Sequence, residues 1–287
     1  MHTLPRGPGL FNLRMLNYAF AVLLVIIFVL AADPFDKVVI LLSFMGAAII
    51  CYGAFLVRSL SLDGMKTAIL VGTITLGTGG IEFAAYLLFF FLGSNLLGLL
   101  FNADSDASLN GLVERRSSDQ VWANSFWFVL FLCLYYITGY WHFGIASAAS
   151  IAAANSDTWA TIAGSSSKNK TVRLIISPLS KVPKGTDGGM SLIGTFGGVA
   201  GAAAIAGLVW FFEGSHVTAG VLAVFISGFS GCLLDSYFGA HFQHKAKTIR
   251  IAGRTVRPGN NLVNFMAVGF ASFLAIILFN LFVHALV

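Results

Sequence analysis

The chain has 287 residues, of which 57% are apolar and 10% charged, with 17 basic and 12 acidic side chains and a mean hydropathy of +0.85. Soluble domains carry about 25% charge, so this composition excludes a water-soluble globular enzyme, a disordered chain and a nucleic-acid-binding module. It predicts an all-α, polytopic membrane protein: a single transmembrane domain over 1–287 with the lipid bilayer as its solvent and no nucleic acid as a partner.

A helix needs about 20 apolar residues to cross about 30 Å of hydrocarbon. In chain order such stretches run over 15–32, 38–57, 82–101, 122–140, 142–163, 190–212, 216–240 and 262–286. The first is too long for the apolar core of a secretory leader, so no cleavable signal peptide is expected. The apolar segment 67–80, TAILVGTITLGTGG, is about 21 Å long as a helix and reads as a short crossing or a re-entrant hairpin.

Charge separates these two readings, because Lys and Arg concentrate on the cytoplasmic side of a membrane protein. Loop 165–185 carries Lys168, Lys170, Arg173, Lys181 and Lys184 without an acid, and loop 241–258 carries Lys245, Lys247, Arg250, Arg254 and Arg257, again without one. Two spans separate the loops, so both can be inside. Counting back, Arg115 and Arg116 are inside. Arg58, Lys66, Arg14 and Arg6 join them only if 67–80 crosses. The expected topology is therefore about nine transmembrane helices with the N-terminus cytoplasmic, in the cell (inner) membrane. Short matches between 62–72 and 186–196, between 91–101 and 228–238, and between 121–126 and 261–265 suggest a parallel internal repeat of the kind found in transporters.

The three cysteines, Cys51, Cys133 and Cys232, lie in apolar stretches with no disulfide framework. His142, His216 and His284 fall near the outer side and make no metal-ligand cluster, and Glu82 lies near the outer end of its span without an obvious partner. The polar residues that interrupt the apolar helices gather at the cytoplasmic ends instead. They are Asn124, then Asn155 and Asp157 in AAANSDTWAT, then Lys181, Lys184, Thr186, Asp187 and Gly188 in KVPKGTDGGM. Asp235 in GFSGCLLDSYF follows, with Asn261 and Asn264 in NNLVNF.

A carboxylate inside a span costs roughly 2.5–3.5 kcal/mol on insertion scales and reads as functional by default. Three carboxylates at one depth repel unless a cation or basic side chains compensate. Mg²⁺ takes carboxylate and phosphate oxygens, so Asp157, Asp187 and Asp235 fit a Mg²⁺–polyphosphate site. Lys181 and Lys184 fit as phosphate donors, and Gly188 lets the backbone approach. Plainer roles exist for each: Asp157 as an interhelical hydrogen-bonding group, Asp187 as an N-cap of the next helix, the lysines as topogenic charges, Asn124 and Asn264 as interhelical glue. Small-residue runs such as GIASAASIAAA and GGVAGAAAIAG read as close helix packing.

Four motifs, AAANSDTWAT (152–161), SKVPKGTDGGMSLIGT (180–195), GFSGCLLDSYFGAHFQ (228–243) and NNLVNF (260–265), resemble an integral-membrane family in order and spacing. It is the family formerly called domain of unknown function 92, which includes animal transmembrane protein 19 and plant phytyl-phosphate kinase. SLDGMKTAILVG (61–72) and DQVWANSF (119–126) match more loosely, and the resemblance spans 58–270. It implies a kinase that converts an isoprenoid-alcohol monophosphate to its diphosphate with CTP or another nucleotide and Mg²⁺. It also implies that Asp157, Asp187, Asp235, Asn261 and Asn264 belong to its polar motifs. Two places depart from the pattern: Ile162 stands where the family usually has an acid, and Gly98 where a Lys is frequent. If either place is catalytic, activity or substrate is altered here. A CTP-dependent lipid cytidylyltransferase could use the same residues, and an ion-coupled transporter is the alternative from another class.

Overall fold

The computed structural model describes residues 13–102, 115–167, 169–213, 218–244, 249–251, 254–256 and 258–286. Arg6, Lys168, His216, Lys245, Lys247 and Arg257 lie outside the described residues. The described chain is mostly helical. Helix α1 (Leu13–Ile26) continues as a π-helical turn, Ile27–Ala31, and α2 covers Pro34–Leu56. Asp33 starts α2 by accepting a hydrogen bond from the Asp36 amide at 2.8 Å, with Pro34 in the first turn.

Helix α3 (Leu62–Asn102) is broken at Gly80, whose φ of 70° and ψ of −164° are open to glycine alone. In a straight helix Gly64 and Phe90 would be about 39 Å apart. Yet the Arg116 carbonyl abuts Gly64, and the Arg116 guanidinium lies 5.3 Å from the Phe90 ring centroid and 5.1 Å from that of Phe91. The segment therefore folds back at Gly80 into two arms lying side by side.

Helix α4 (Ser118–Thr138) opens on a Ser117–Gln120 capping box and ends at Gly139, which takes a left-handed φ of 69°. Helix α5 (Trp141–Ser166) is the centre of the molecule and packs against α3, α4 and the three helices that follow. Every residue from Gly144 to Ser156 is buried. Its alanines and serines let neighbours approach backbone to backbone: a Cβ on Gly228 or Gly231 would sit 2.6 Å from the Cβ of Ala152 or Ala153. Ser147, Asn155 and Ser156 hydrogen-bond to carbonyls of Phe128, Gly201 and Gly198 on adjacent helices. This is the close packing that the small-residue run predicts.

The loop after α5 is not plain coil. Strands β1 (Thr171–Leu174), β2 (Ser177–Pro183) and β3 (Gly189–Met190) form an antiparallel sheet in the order β2-β1-β3, and β4 (Ile249–Ile251) pairs with β5 (Arg254–Val256). The all-α expectation is corrected to this extent. Thr171 and Val172 on β1, Ile249 and Ile251 on β4 and Thr255 and Val256 on β5 are β-branched residues that favour extended backbone, and strand pairing satisfies their backbone groups without a helix. Helices α6 (Leu192–Glu213), α7 (Thr218–Phe238, continuing as a π-helical segment Gly239–His244) and α8 (Asn260–Leu286) complete the chain.

Among the described residues, six helices are long and apolar enough to cross a membrane: Pro34–Leu56, Leu62–Phe101, Ser118–Thr138, Leu192–Glu213, Thr218–Gln243 and Asn260–Ala285. All three cysteines are free.

Candidate functional site

The central helix brings Asp157 to a narrow pocket where α4, α5, α7 and α8 meet. Asn124, Asp157, Asp235 and Asn264 line it together with small residues, among them Ala153 and Gly231. The small residues matter because they let the helices close until their polar side chains face one another. With its amide oriented to satisfy both ends, Asn264 donates from Nδ2 to Asp235 Oδ2 at 2.8 Å and to the Asn260 carbonyl at 3.0 Å. The side-chain amides of Asn264 and Asn124 lie 3.4 Å apart. The pocket has a volume of about 10 Å³, room for about one water molecule or one bare cation.

Asp187 reaches the same region by a glycine-built turn. Gly185 and Gly188 have φ of 88° and 76°. Thr186 donates from Oγ1 to the Pro183 carbonyl at 2.7 Å, and the Gly189 amide returns to the Thr186 carbonyl at 2.8 Å. Gly188 lies directly on the end of α7, where a Cβ would stand 2.6 Å from the Ser236 carbonyl oxygen and from the Ala240 nitrogen and would collide with the Ala240 Cβ. The charges of both Asp157 and Asp187 act on Asp235. Asp187 itself is exposed and does not line the pocket; its backbone rests near Gly239, just past the end of α7. It does not cap α6: Ser191 does, accepting from the Gly194 amide at 3.0 Å.

The donor set suits a hard cation, with carboxylate and amide oxygens and no thiolate or imidazole. Among the described residues, however, no three His, Cys, Asp or Glu side chains stand close enough to hold a metal together. The expected three-carboxylate set is thus a pair lining one pocket, Asp157 and Asp235, with Asp187 apart from it but close enough for its charge to act on Asp235. That still fits Mg²⁺, which binds through one or two carboxylates and keeps sites for water and phosphate.

The other expected residues divide. Asn124 and Asn264 line the pocket. Asn261, half-buried in the first turn of α8, precedes Asn264 by three positions and shares its face. Asn155 is fully buried; its Nδ2 donates to the Gly201 carbonyl at 2.8 Å and its Oδ1 has no partner, so it ties α5 to α6 and does not line the pocket. Lys184 donates from Nζ to the carbonyls of Ser165 and Ser167, both at 2.9 Å, and so caps the end of α5. Lys181 is exposed on β2, in register with Arg173 on β1. Ile162 is half-buried on α5, and a Cβ at Gly98 would meet open space.

Two features escaped sequence reasoning. Glu82 does have a partner, a hydrogen bond from the Glu213 side chain, near Tyr86 and Tyr135 at the end of the bundle away from Arg116. The pairing joins residues 131 positions apart, which no local signal reveals. Arg116 reads in the sequence only as a topogenic charge, but in the fold it is half-buried against Phe90 and Phe91.

The sequence profile described as integral membrane protein DUF92 matches residues 44–272, a stretch that contains every pocket residue. The chain is also 33% identical over 214 residues to an uncharacterized membrane protein of Methanocaldococcus jannaschii, covering 70% of this chain and 84% of that protein. No solved structure matches.

Proposed function

Because the chain belongs to the integral membrane protein DUF92 family, we propose that it is a multi-pass membrane phosphotransferase. In this reading it converts an isoprenoid-alcohol monophosphate, of the phytyl or prenyl kind, to the diphosphate, with CTP or another nucleotide as donor. The observation that carries the proposal is the pair Asp157 and Asp235 lining one pocket, with the Asp187 charge acting on Asp235.

An oxygen of the acceptor phosphate attacks the terminal phosphorus of the nucleoside triphosphate. The bond from that phosphorus to the bridging oxygen breaks, and the nucleoside diphosphate leaves with the electron pair. The acceptor is already anionic, so no strong general base is needed, in keeping with a pocket of carboxylates and amides. Asp157 and Asp235 would hold Mg²⁺, which when bound would supply positive charge to offset that of the phosphates. Asp187 would add negative charge that favours the cation near Asp235. Asn264 and Asn124 orient the carboxylates, and Asn261 with Thr186 and the Gly188 backbone offers donors to the nucleotide. Lys181 offers an exposed cation on β2 near the Asp187 turn; Lys184 serves the fold as a helix cap.

The same reading gives nine spans: α1 with its π turn, α2, the two arms of α3, and α4 to α8. The N-terminus and the pocket mouth then lie on the cytoplasmic side, and the short matches between 62–72 and 186–196 would mark a parallel repeat. The chain reversal at Gly80 supports that count.

Purified protein incubated with Mg²⁺, prenyl monophosphates and labelled nucleotides should yield a lipid diphosphate and CDP, read by mass. A CDP-lipid with released diphosphate would instead make it a cytidylyltransferase. The Glu82–Glu213 pair at the opposite end of the bundle, added to the embedded carboxylates and the short sequence repeat, favours an ion-coupled transporter. Cation-gradient-driven uptake into proteoliposomes without any nucleotide-dependent product would replace the kinase by that activity.

A further inference from the structure

A larger cavity, about 140 Å³, lies beside the acid pocket, between α2, the two arms of α3 and α4. Small residues make it: Ala47, Ala68, Gly72 and Ala84 leave space where larger side chains would have filled the gap between the arms. Its surface is almost wholly apolar, although Thr75, Arg116, Gln120, Asn124 and Ser125 stand among its lining residues. Arg116 stands at one edge, its guanidinium over the Phe90 and Phe91 rings. Asn124 stands at another and lines the acid pocket as well, so one side chain forms part of both walls.

Arg116 is held there by its backbone. Its amide donates to the Ser59 carbonyl and its carbonyl accepts from the Ser61 amide, both at 3.1 Å. Burial pulls its pKa down, and among the described residues no carboxylate acts on it. A half-buried guanidinium with no carboxylate acting on it suits an anion, and aromatic faces alone compensate its lost hydration only in part.

We infer that this cavity receives the first part of the hydrocarbon chain of an isoprenoid monophosphate, with Arg116 holding the phosphate beside Asn124. The inference deepens the kinase reading and rests on it for the identity of the head group. An apolar cavity of about 150 Å³ takes one benzene, so the space here holds about one five-carbon unit, and the rest of the chain runs out past exposed Ile50 into lipid. Arginine suits the task because its planar fork binds phosphate at two points while its face stacks on rings. The geometry also accounts for substrate approach: the chain stays among apolar helices while its phosphate reaches the edge of the carboxylate pair.

The test is photolabelling of the full-length protein in lipid nanodiscs. The probe is a prenyl monophosphate with a diazirine on its first five-carbon unit, and adducts are mapped by mass spectrometry. Adducts should fall on 47–54, 68–76 and 84–91. Unlabelled prenyl monophosphate should compete, and inorganic phosphate or phosphatidic acid should not. Ala68→Phe should lower labelling at least tenfold. Arg116→Gln should lower it at least tenfold for the phosphate and leave labelling by the matching prenyl alcohol unchanged.

Adducts confined to other helices, or equal competition by phosphatidic acid, would overturn the inference; these readouts use the wild-type chain, so a variant that fails to fold does not shield it. The two readings separate cleanly. Cavity labelling without nucleotide-dependent turnover removes the kinase and keeps the lipid site. Turnover with adducts elsewhere, or with an unchanged KM in Ala68→Phe, removes the lipid site and keeps the kinase.

Discussion

Asp63 and Asp187 each precede a glycine at a corner where one segment presses on the backbone of another, yet their carboxylates have opposite fates. Asp63 accepts from the Ser61 hydroxyl at 2.6 Å and from the Ser118 amide at 3.0 Å, and Gly64 next to it abuts the Arg116 carbonyl. That carboxylate is committed to joining α3 to the start of α4. At the second corner Gly188 makes the close approach, against Ser236 and Ala240, while the Asp187 carboxylate remains exposed and its charge acts on Asp235. The same two-residue pattern is thus a fastener in the first half of the chain and a donor of charge to the site in the second. The difference lies in what the neighbouring helix offers: free amide groups at the start of α4, and a carboxylate near the end of α7.

The largest break in this comparison is expected at the pocket itself. Asp157→Asn and Asp235→Asn should each abolish prenyl diphosphate formation while circular dichroism shows unchanged helix content; normal turnover in either would remove the metal-binding role. Next comes the paired test of the corners. Asp187→Asn should lower turnover by roughly 10²-fold, the scale of losing one electrostatic contact to a transition state. Asp63→Asn should leave turnover within about threefold and lower stability by about 1 kcal/mol, seen as a lower thermal midpoint. Equal kinetic losses in the two variants would erase the distinction drawn here.

The glycines sharpen the same contrast. Gly64→Ala and Gly188→Ala each force a methyl group into occupied space, and each should cost about 1–3 kcal/mol. Only Gly188→Ala should also raise the KM for the nucleotide, because it displaces Asp187. The smallest effect belongs to Lys184→Met. Loss of its two bonds to the end of α5 should lower stability by about 0.5 kcal/mol and change kcat less than twofold; a collapse of kcat would return Lys184 to the phosphate site.

These contrasts also mark how far the sequence could be read. The acids and amides of the pocket were legible because carboxylates are costly in apolar helices and stand out from Ala, Gly and Leu neighbours. The role of Lys184 was not: a lysine beside Gly185 and Asp187 has the same local pattern whether it binds phosphate or turns back 17 residues to the Ser167 carbonyl. The strands β1 to β3 are not legible, because their short segments carry the charge pattern of a loop and strand pairing depends on partners that no single segment shows.

Composition alone made this a membrane protein, since an apolar majority with so few charges has no stable alternative in water. Its periodic apolar stretches located the helices, because backbone groups inside a bilayer must bond within their own segment. Only the tertiary structure decided that α5 is the buried hub, that Asp157 and Asp235 line one pocket while Asn155 turns toward α6, and that Arg116 closes an apolar cavity next to them. Those outcomes depend on how closely particular helices approach and at what rotation, quantities fixed by contacts between residues far apart in the chain.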